Sequence, residues 1–170
     1  RARTVQAKIL EKEFTSQSVK SRGERLALVL QIKTEKLDKA AQAYQDVIRY
    51  ADAKTSVSAL RSMASCYGHY VDSIRSLELV GDYSKEELAA LKKELENLSL
   101  PVEDKRVDTL QEALKQAKRL ELRDGSIAEI QTELNSLNMK RTISNTVQIK
   151  LPDTLLPKFH VPSPTGGSSL

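Results

Sequence analysis

Residues 37–48 read Leu-Asp-Lys-Ala-Ala-Gln-Ala-Tyr-Gln-Asp-Val-Ile. Within them, Lys39-Ala40-x3-Tyr44-x2-Val47-Ile48 places small, aromatic and β-branched residues at helical spacing. A related arrangement, Lys105-Arg106-x3-Leu110-x2-Ala113-Leu114, returns 66 positions later. Similar helices at a long spacing are the sequence mark of stacked helical repeats. Such proteins usually work by presenting a surface rather than by chemistry.

Working outward, the segment from Leu26 to Ile48 predicts the longest helix. Its apolar stripe is Leu26, Val29, Leu30, Leu37, Ala40, Ala41, Tyr44, Val47 and Ile48. Apolar recurrence at three and four residues is the helical signature. Lys33 breaks the stripe and is expected to snorkel to solvent on its long stem. Upstream, residues 3–15 predict a helix with Val5, Ile9, Leu10 and Phe14 inward, and Ser21-Arg22-Gly23 interrupt it. Downstream, residues 56–80 predict a third helix on the stripe Val57, Leu60, Met63, Ala64, Tyr67, Val71, Ile74 and Leu77, ended by Gly81-Asp82.

Ser84-Lys85-Glu86-Glu87 has the form of a capping box, in which the Ser84 hydroxyl and the Glu87 carboxylate satisfy each other's orphan amides. It predicts a fourth helix with Leu88, Leu91, Leu95 and Leu98 inward. Pro101 reads as the first turn of a fifth helix, where its missing N–H costs little. Val107, Leu110, Leu114, Ala117 and Leu120 line that helix, and Asp124-Gly125 stop it. Ser126-x-x-Glu129 is a second capping-box pattern, opening a short sixth helix with Ile127, Ile130, Leu134 and Leu137 inward.

The pattern changes after Met139. Thr146-Val147-Gln148-Ile149-Lys150-Leu151 alternates and predicts a lone strand over 146–151, which needs a sheet edge, a groove or a neighbouring chain to be stable. Four of the five prolines fall in the last twenty residues, so residues 152–170 read as extended with a flexible Gly/Ser end. Leu155, Leu156, Phe159 and Val161 make that tail more apolar than a solvated linker needs. The expected division is therefore a helical body over 1–140 and an extended or partly disordered tail over 141–170. The fold class is all-α, with about five to six antiparallel helices.

Composition limits the function. Aromatic residues are 4% of the chain and Trp is absent, so the core is built from Leu, Ala and a few Tyr. The formal net charge of +4 divides as +4 over residues 1–52, −2 over 53–140 and +2 over 141–170. No run of Lys and Arg exceeds two, unlike the basic stripe of a nucleic-acid binder. Cys66 is the single cysteine, so no internal disulfide forms and no compartment follows from it. No apolar stretch reaches the roughly 18–20 residues of a membrane span. The chain begins at Arg1, inside a helical pattern, and reads as a fragment or a processed product.

At the paired signatures the chain resembles a tetratricopeptide-type (TPR-like) repeat protein. Ala40, Tyr44 and Val47 match the small, aromatic and apolar positions of a repeat's second helix. Leu110 and Ala113 match in part, with Arg106 where a small residue is expected. Leu60-x2-Met63-Ala64-x2-Tyr67 resembles a first helix. The order Ser84 with Glu86 and Glu87, then Pro101, then Lys105, is similar to the irregular repeats of large bacterial envelope proteins. The resemblance covers roughly residues 24–122, and 66 is near two repeat lengths without equalling them. It implies an irregular TPR-like α-solenoid, the C-terminal part of a longer array, in a periplasmic or envelope setting with the cytoplasm as the alternative.

Candidate chemistry is sparse. Cys66 and His69 share a helix face, and Asp72 lies one turn further on. A metal site needs about two more ligands, and the other histidine, His160, is in the tail. A Cys66-His69 dyad has the residue types of a nucleophile and base but no sign of an oxyanion hole, so the pair reads as packing. Tyr44 and Tyr67 lie on apolar stripes and read as core; Tyr70 lies off the stripe and is open to a partner. No phosphate loop or hydrolase motif is present. The expectation is a non-enzymatic protein-interaction scaffold, with no metal and no cofactor, which binds a partner protein or peptide through the repeat surface. Its tail, residues 146–161 above all, docks in cis or on a partner. A structural oligomerising bundle is the alternative, and nucleic-acid binding a third.

Overall fold

Each capped, apolar-periodic stretch of the sequence folds as a helix, and two of the expected helices merge. The computed structural model describes the backbone of residues 1–20, 23–79, 83–122 and 125–147, and the side chains of these except 23–24 and 141–147. The described residues form α1 (Ala2–Ser16), α2 (Gly23–Tyr50), α3 (Ala53–Arg75), α4 (Lys85–Arg119) and α5 (Ser126–Val147), with no strand among them. Thr146 and Val147, expected to begin a strand over 146–151, are the last residues of α5. In the helix their amides donate to carbonyls one turn earlier, whereas a strand needs an edge to join. Residues 148–170, including the expected extended tail, lie outside the described residues, as do Ser21-Arg22, Gly81-Asp82 and Asp124.

Short connections reverse the chain between helices. Only Ala51 and Asp52 separate α2 from α3. Asp52 is the N-cap, accepting from the Thr55 amide at 3.0 Å and the Thr55 hydroxyl at 2.7 Å. The Ser84 capping box forms as expected: the Glu87 amide donates to the Ser84 hydroxyl at 3.1 Å and the Ser84 amide to the Glu87 carboxylate at 2.8 Å. At its other end, α4 stops at Arg119, short of the Gly125 expected to end it. Glu121 adopts a left-handed φ of 49°, and the Leu122 and Glu121 amides return to the Ala117 and Lys118 carbonyls. This closing pair of bonds usually has glycine at the left-handed position.

Pro101 does not open a helix. It lies inside α4, whose 35 residues make it, not α2, the longest helix. Leu95, Ser99, Glu103, Val107 and Leu110 form one buried face that runs past the proline, and Pro101 itself points to solvent. Packing of that continuous face offsets the roughly 3 kcal/mol that an interior proline costs. The same face displaces Leu98 outward, to 39% exposure, and buries Ser99 in its place.

From α1 to α4, each helix packs chiefly on its neighbours in the chain, with a smaller contact between α1 and α3. Residues 1–137 form one unit with one core. The centre of that core is α3, buried through Val57, Leu60, Met63, Ala64, Tyr67, Val71 and Ile74 as its stripe predicts. Tyr70, which lies off that stripe and reads as open to a partner, is also fully buried; its hydroxyl lies 2.8 Å from that of Thr34. Packing of α3 on both α2 and α4 buries more of its circumference than one stripe. By contrast α1 buries only Ala7 and Phe14, with Leu10 half-buried. Val5 and Ile9, expected inward, are 57% and 55% exposed. The side of α1 that meets the body carries Ala7, Leu10, Glu11 and Phe14, because Glu11 accepts from the buried Tyr44 hydroxyl.

Candidate functional site

A groove of about 630 Å³ lies over α3. Its floor is a line of small residues, Ser58, Ser62, Ser65 and Gly68, at helical spacings of three and four. Glu11 on α1 stands at one side, Arg106 on α4 and Glu133 on α5 at the other, and His69 and Asp72 lie further along α3. Small side chains on a helix facing two separated neighbours leave a trough rather than a packed seam.

Two ion pairs fix the far side. Arg106 donates to Glu133 at 2.6 Å, and Arg61 to Glu129 at 2.5 Å. The Arg106 guanidinium passes directly over Gly68. A Cβ at that position would sit 2.7 Å from the guanidinium carbon and 3.0 Å from Nε. The Arg106 Nε is buried without a hydrogen-bond partner. Arg106 thus occupies a position where the repeat pattern expects a small residue, and a glycine on the facing helix supplies the missing room. An interior glycine in an otherwise helical stretch is the signal that could have located this crossing.

On the α1 side, Lys33 does not snorkel to solvent; it is fully buried. Its ammonium donates to the Phe14 and Gln17 carbonyls, both at 2.9 Å. It lies 4.3 Å from the Phe14 ring centre and 3.5 Å from His69 Nδ1. The last carbonyls of α1 have no partner within their own helix and carry its negative dipole end. Since α1 has no basic residue in its last turn, Lys33 serves as its C-terminal cap from α2. Burial pushes Lys33 down to about 8, with the charge of Lys36 adding to the effect. The α1 carbonyls and the Phe14 ring favour the cation and oppose that fall.

Cys66 and His69 are not brought together as a reactive pair. Cys66 is buried, and burial pushes its thiol up to about 12, the Glu11 charge adding. A neutral buried thiol is a small apolar packing group. The His69 ring packs edge-on to Phe14 at 5.3 Å, with the Ser73 hydroxyl 3.3 Å from Nδ1. Burial holds His69 below its ordinary value, the Lys33 charge adds, and Asp72 opposes. Tyr44 and Tyr67 lie in the core. Burial raises the Tyr44 phenol, and its bond to Glu11 adds. Among the described residues, no three metal-ligating side chains converge, and no helix is long and apolar enough to cross a membrane.

The groove presents hydroxyls for hydrogen bonds, two arginines held by glutamates, and the carboxylates of Glu11 and Asp72. Comparison with protein-family models, with curated proteins and with solved structures finds no match.

Proposed function

We propose that this chain is a protein-binding module, a short irregular TPR-like α-solenoid whose groove over α3 takes a segment of a partner protein. The groove itself carries this reading. It is open and polar, and its floor of small serine side chains lets a foreign backbone approach closely. The packing of α1 to α4 on chain neighbours supports the solenoid part, since each unit of a solenoid touches mainly the next. The apolar residues of 146–161 belong to the same reading as a segment that docks in cis or on a partner.

The test is affinity capture with the wild-type chain, with Ser65→Arg, which fills the exposed floor, and with a chain lacking residues 142–170. A protein retained by the wild type and lost with Ser65→Arg is the expected result. Equal retention by both chains would remove the groove from the function. Loss on tail deletion alone would assign binding to the tail. Self-association is a second reading, favoured by Val5 and Ile9, one turn apart and exposed on α1. Sedimentation equilibrium separates the two, because an assembly protein gains mass with concentration and a monomeric scaffold does not.

A further inference from the structure

We propose that Lys33 and His69 form a proton-controlled latch for α1: protonation of His69 removes the acceptor facing Lys33 and sets two cations side by side, so that α1 loosens from α2 and α3 in acid. The latch stands on its own geometry, whether or not the groove binds a partner.

An ammonium has three N–H donors. Lys33 directs two at the Phe14 and Gln17 carbonyls of α1, and its third neighbour is His69 Nδ1 at 3.5 Å. For Lys33 to donate there, Nδ1 must carry a lone pair, with the ring neutral and its proton on Nε2; the Ser73 hydroxyl, 3.3 Å from the same nitrogen, donates to the His69 carbonyl at 2.6 Å. Protonated His69 has no acceptor there. Two unit charges at that separation repel, and the full burial of Lys33 limits the screening that water supplies. His69 also packs on the Phe14 ring, so its protonation disturbs both anchors of the α1 C-terminus.

The element held by this contact is weakly held otherwise. Two buried side chains, Ala7 and Phe14, seat α1, and no side-chain cap closes its N-terminus. Sparse apolar burial marks a segment that opens below the global unfolding free energy. Polar ties among the described residues include Tyr44 to Glu11, Lys36 to the Gln17 side chain at 2.9 Å, and the Arg3 guanidinium over the Tyr50 ring at 4.2 Å.

The charged and titratable groups facing the cluster are Lys36 on α2, Asp72 on α3 and Glu11 on α1. Lys36 repels Lys33, and Asp72 favours protonated His69. The sign follows from His69 being held below its ordinary value of 6.5. A depressed native value makes the docked state prefer the neutral ring, so stability present above the unfolded value is lost as pH falls through the window below it. Lys33, at about 8, stays protonated across that window, which leaves His69 as the group of the pair that titrates.

Hydrogen exchange of the full chain between about pH 7.5 and pH 5 tests the latch, corrected for intrinsic exchange and kept above the ordinary carboxylate range. Protection of α1 amides is expected to fall severalfold more than that of α3 amides. His69→Gln, and independently Lys33→Met, should abolish the difference. The His69 ring resonance, assigned by its loss in His69→Gln, should titrate in wild type below its ordinary value of 6.5, and the fall in α1 protection should level off near that midpoint. That titration stands even if a variant fails to fold. Parallel pH responses of α1 and α3, an α1 response that persists in either variant, or a ring midpoint at or above its ordinary value would each overturn the latch.

Discussion

Gly68 and Cys66, neighbours on α3, show how far a single residue can be read. Glycine inside a helix costs about 1 kcal/mol relative to alanine, so Gly68→Ala gains that amount locally. Its new Cβ would meet the Arg106 guanidinium, and the partly exposed pair with Glu133 contributes only about 0–1 kcal/mol. Denaturant melts should therefore show a net change within about 1 kcal/mol for Gly68→Ala alone and a larger gain for the same change on an Arg106→Ala background. Equal effects in both backgrounds would mean that the guanidinium does not need the space. Cys66 gives a second measurement. Its buried, neutral thiol should stay unmodified by a disulfide reagent near neutral pH in the folded chain and react fully on denaturation. Its spacing from His69 was legible in the sequence; its burial depends on α3 being covered on both sides, which no single stripe displays. The same holds for Lys33, which interrupts a stripe and so reads as exposed, until the Phe14 and Gln17 carbonyls at the end of α1 arrive beside it.

At the scale of the element, helix existence followed from periodicity and caps, while helix ends followed from packing. The Ser84 and Asp52 caps act within four residues, so a sequence displays them. Pro101 was misplaced because the rule for a first-turn proline is local, whereas the buried face from Leu95 to Leu110 spans four turns. Replacing Pro101 by Ala restores an N–H that can donate to the Asn97 carbonyl, and thermal unfolding should show a gain of about 1–3 kcal/mol. No gain would indicate that the helix around Pro101 is bent to a shape alanine does not favour. Glu121 is the other strained place, since a left-handed conformation costs a non-glycine residue about 1–2 kcal/mol. Glu121→Gly should therefore stabilise the chain by about 1 kcal/mol in denaturant titrations, and destabilisation would show that the Glu121 side chain makes a compensating contact.

For the whole molecule, burial is concentrated on α3 and declines towards α1. Full burial of a Val, Leu or Ile side chain contributes roughly 1.5–3 kcal/mol, so a helix with twelve buried residues and one with two cannot open with the same free energy. Native-state hydrogen exchange near neutral pH should place α3 amides slowest, exchanging by global unfolding, and α1 amides fastest of those in α1 to α3. A uniform rate across the three helices would show one cooperative unit without a loosely held edge. The sequence by itself determined that this protein is all-α, where most helices begin and which residues line α2 and α3, because hydrophobic period and capping act over a few residues. It also displayed, without joining them, Gly68, Arg106, Lys33 and His69. Only the tertiary structure decided that Arg106 crosses Gly68, that Lys33 caps α1 beside His69, that the helices on either side of Pro101 are one, and that a polar groove opens over α3. Each of those depends on which helix lies beside which and at what rotation, and that is set by the summed packing of residues tens of positions apart.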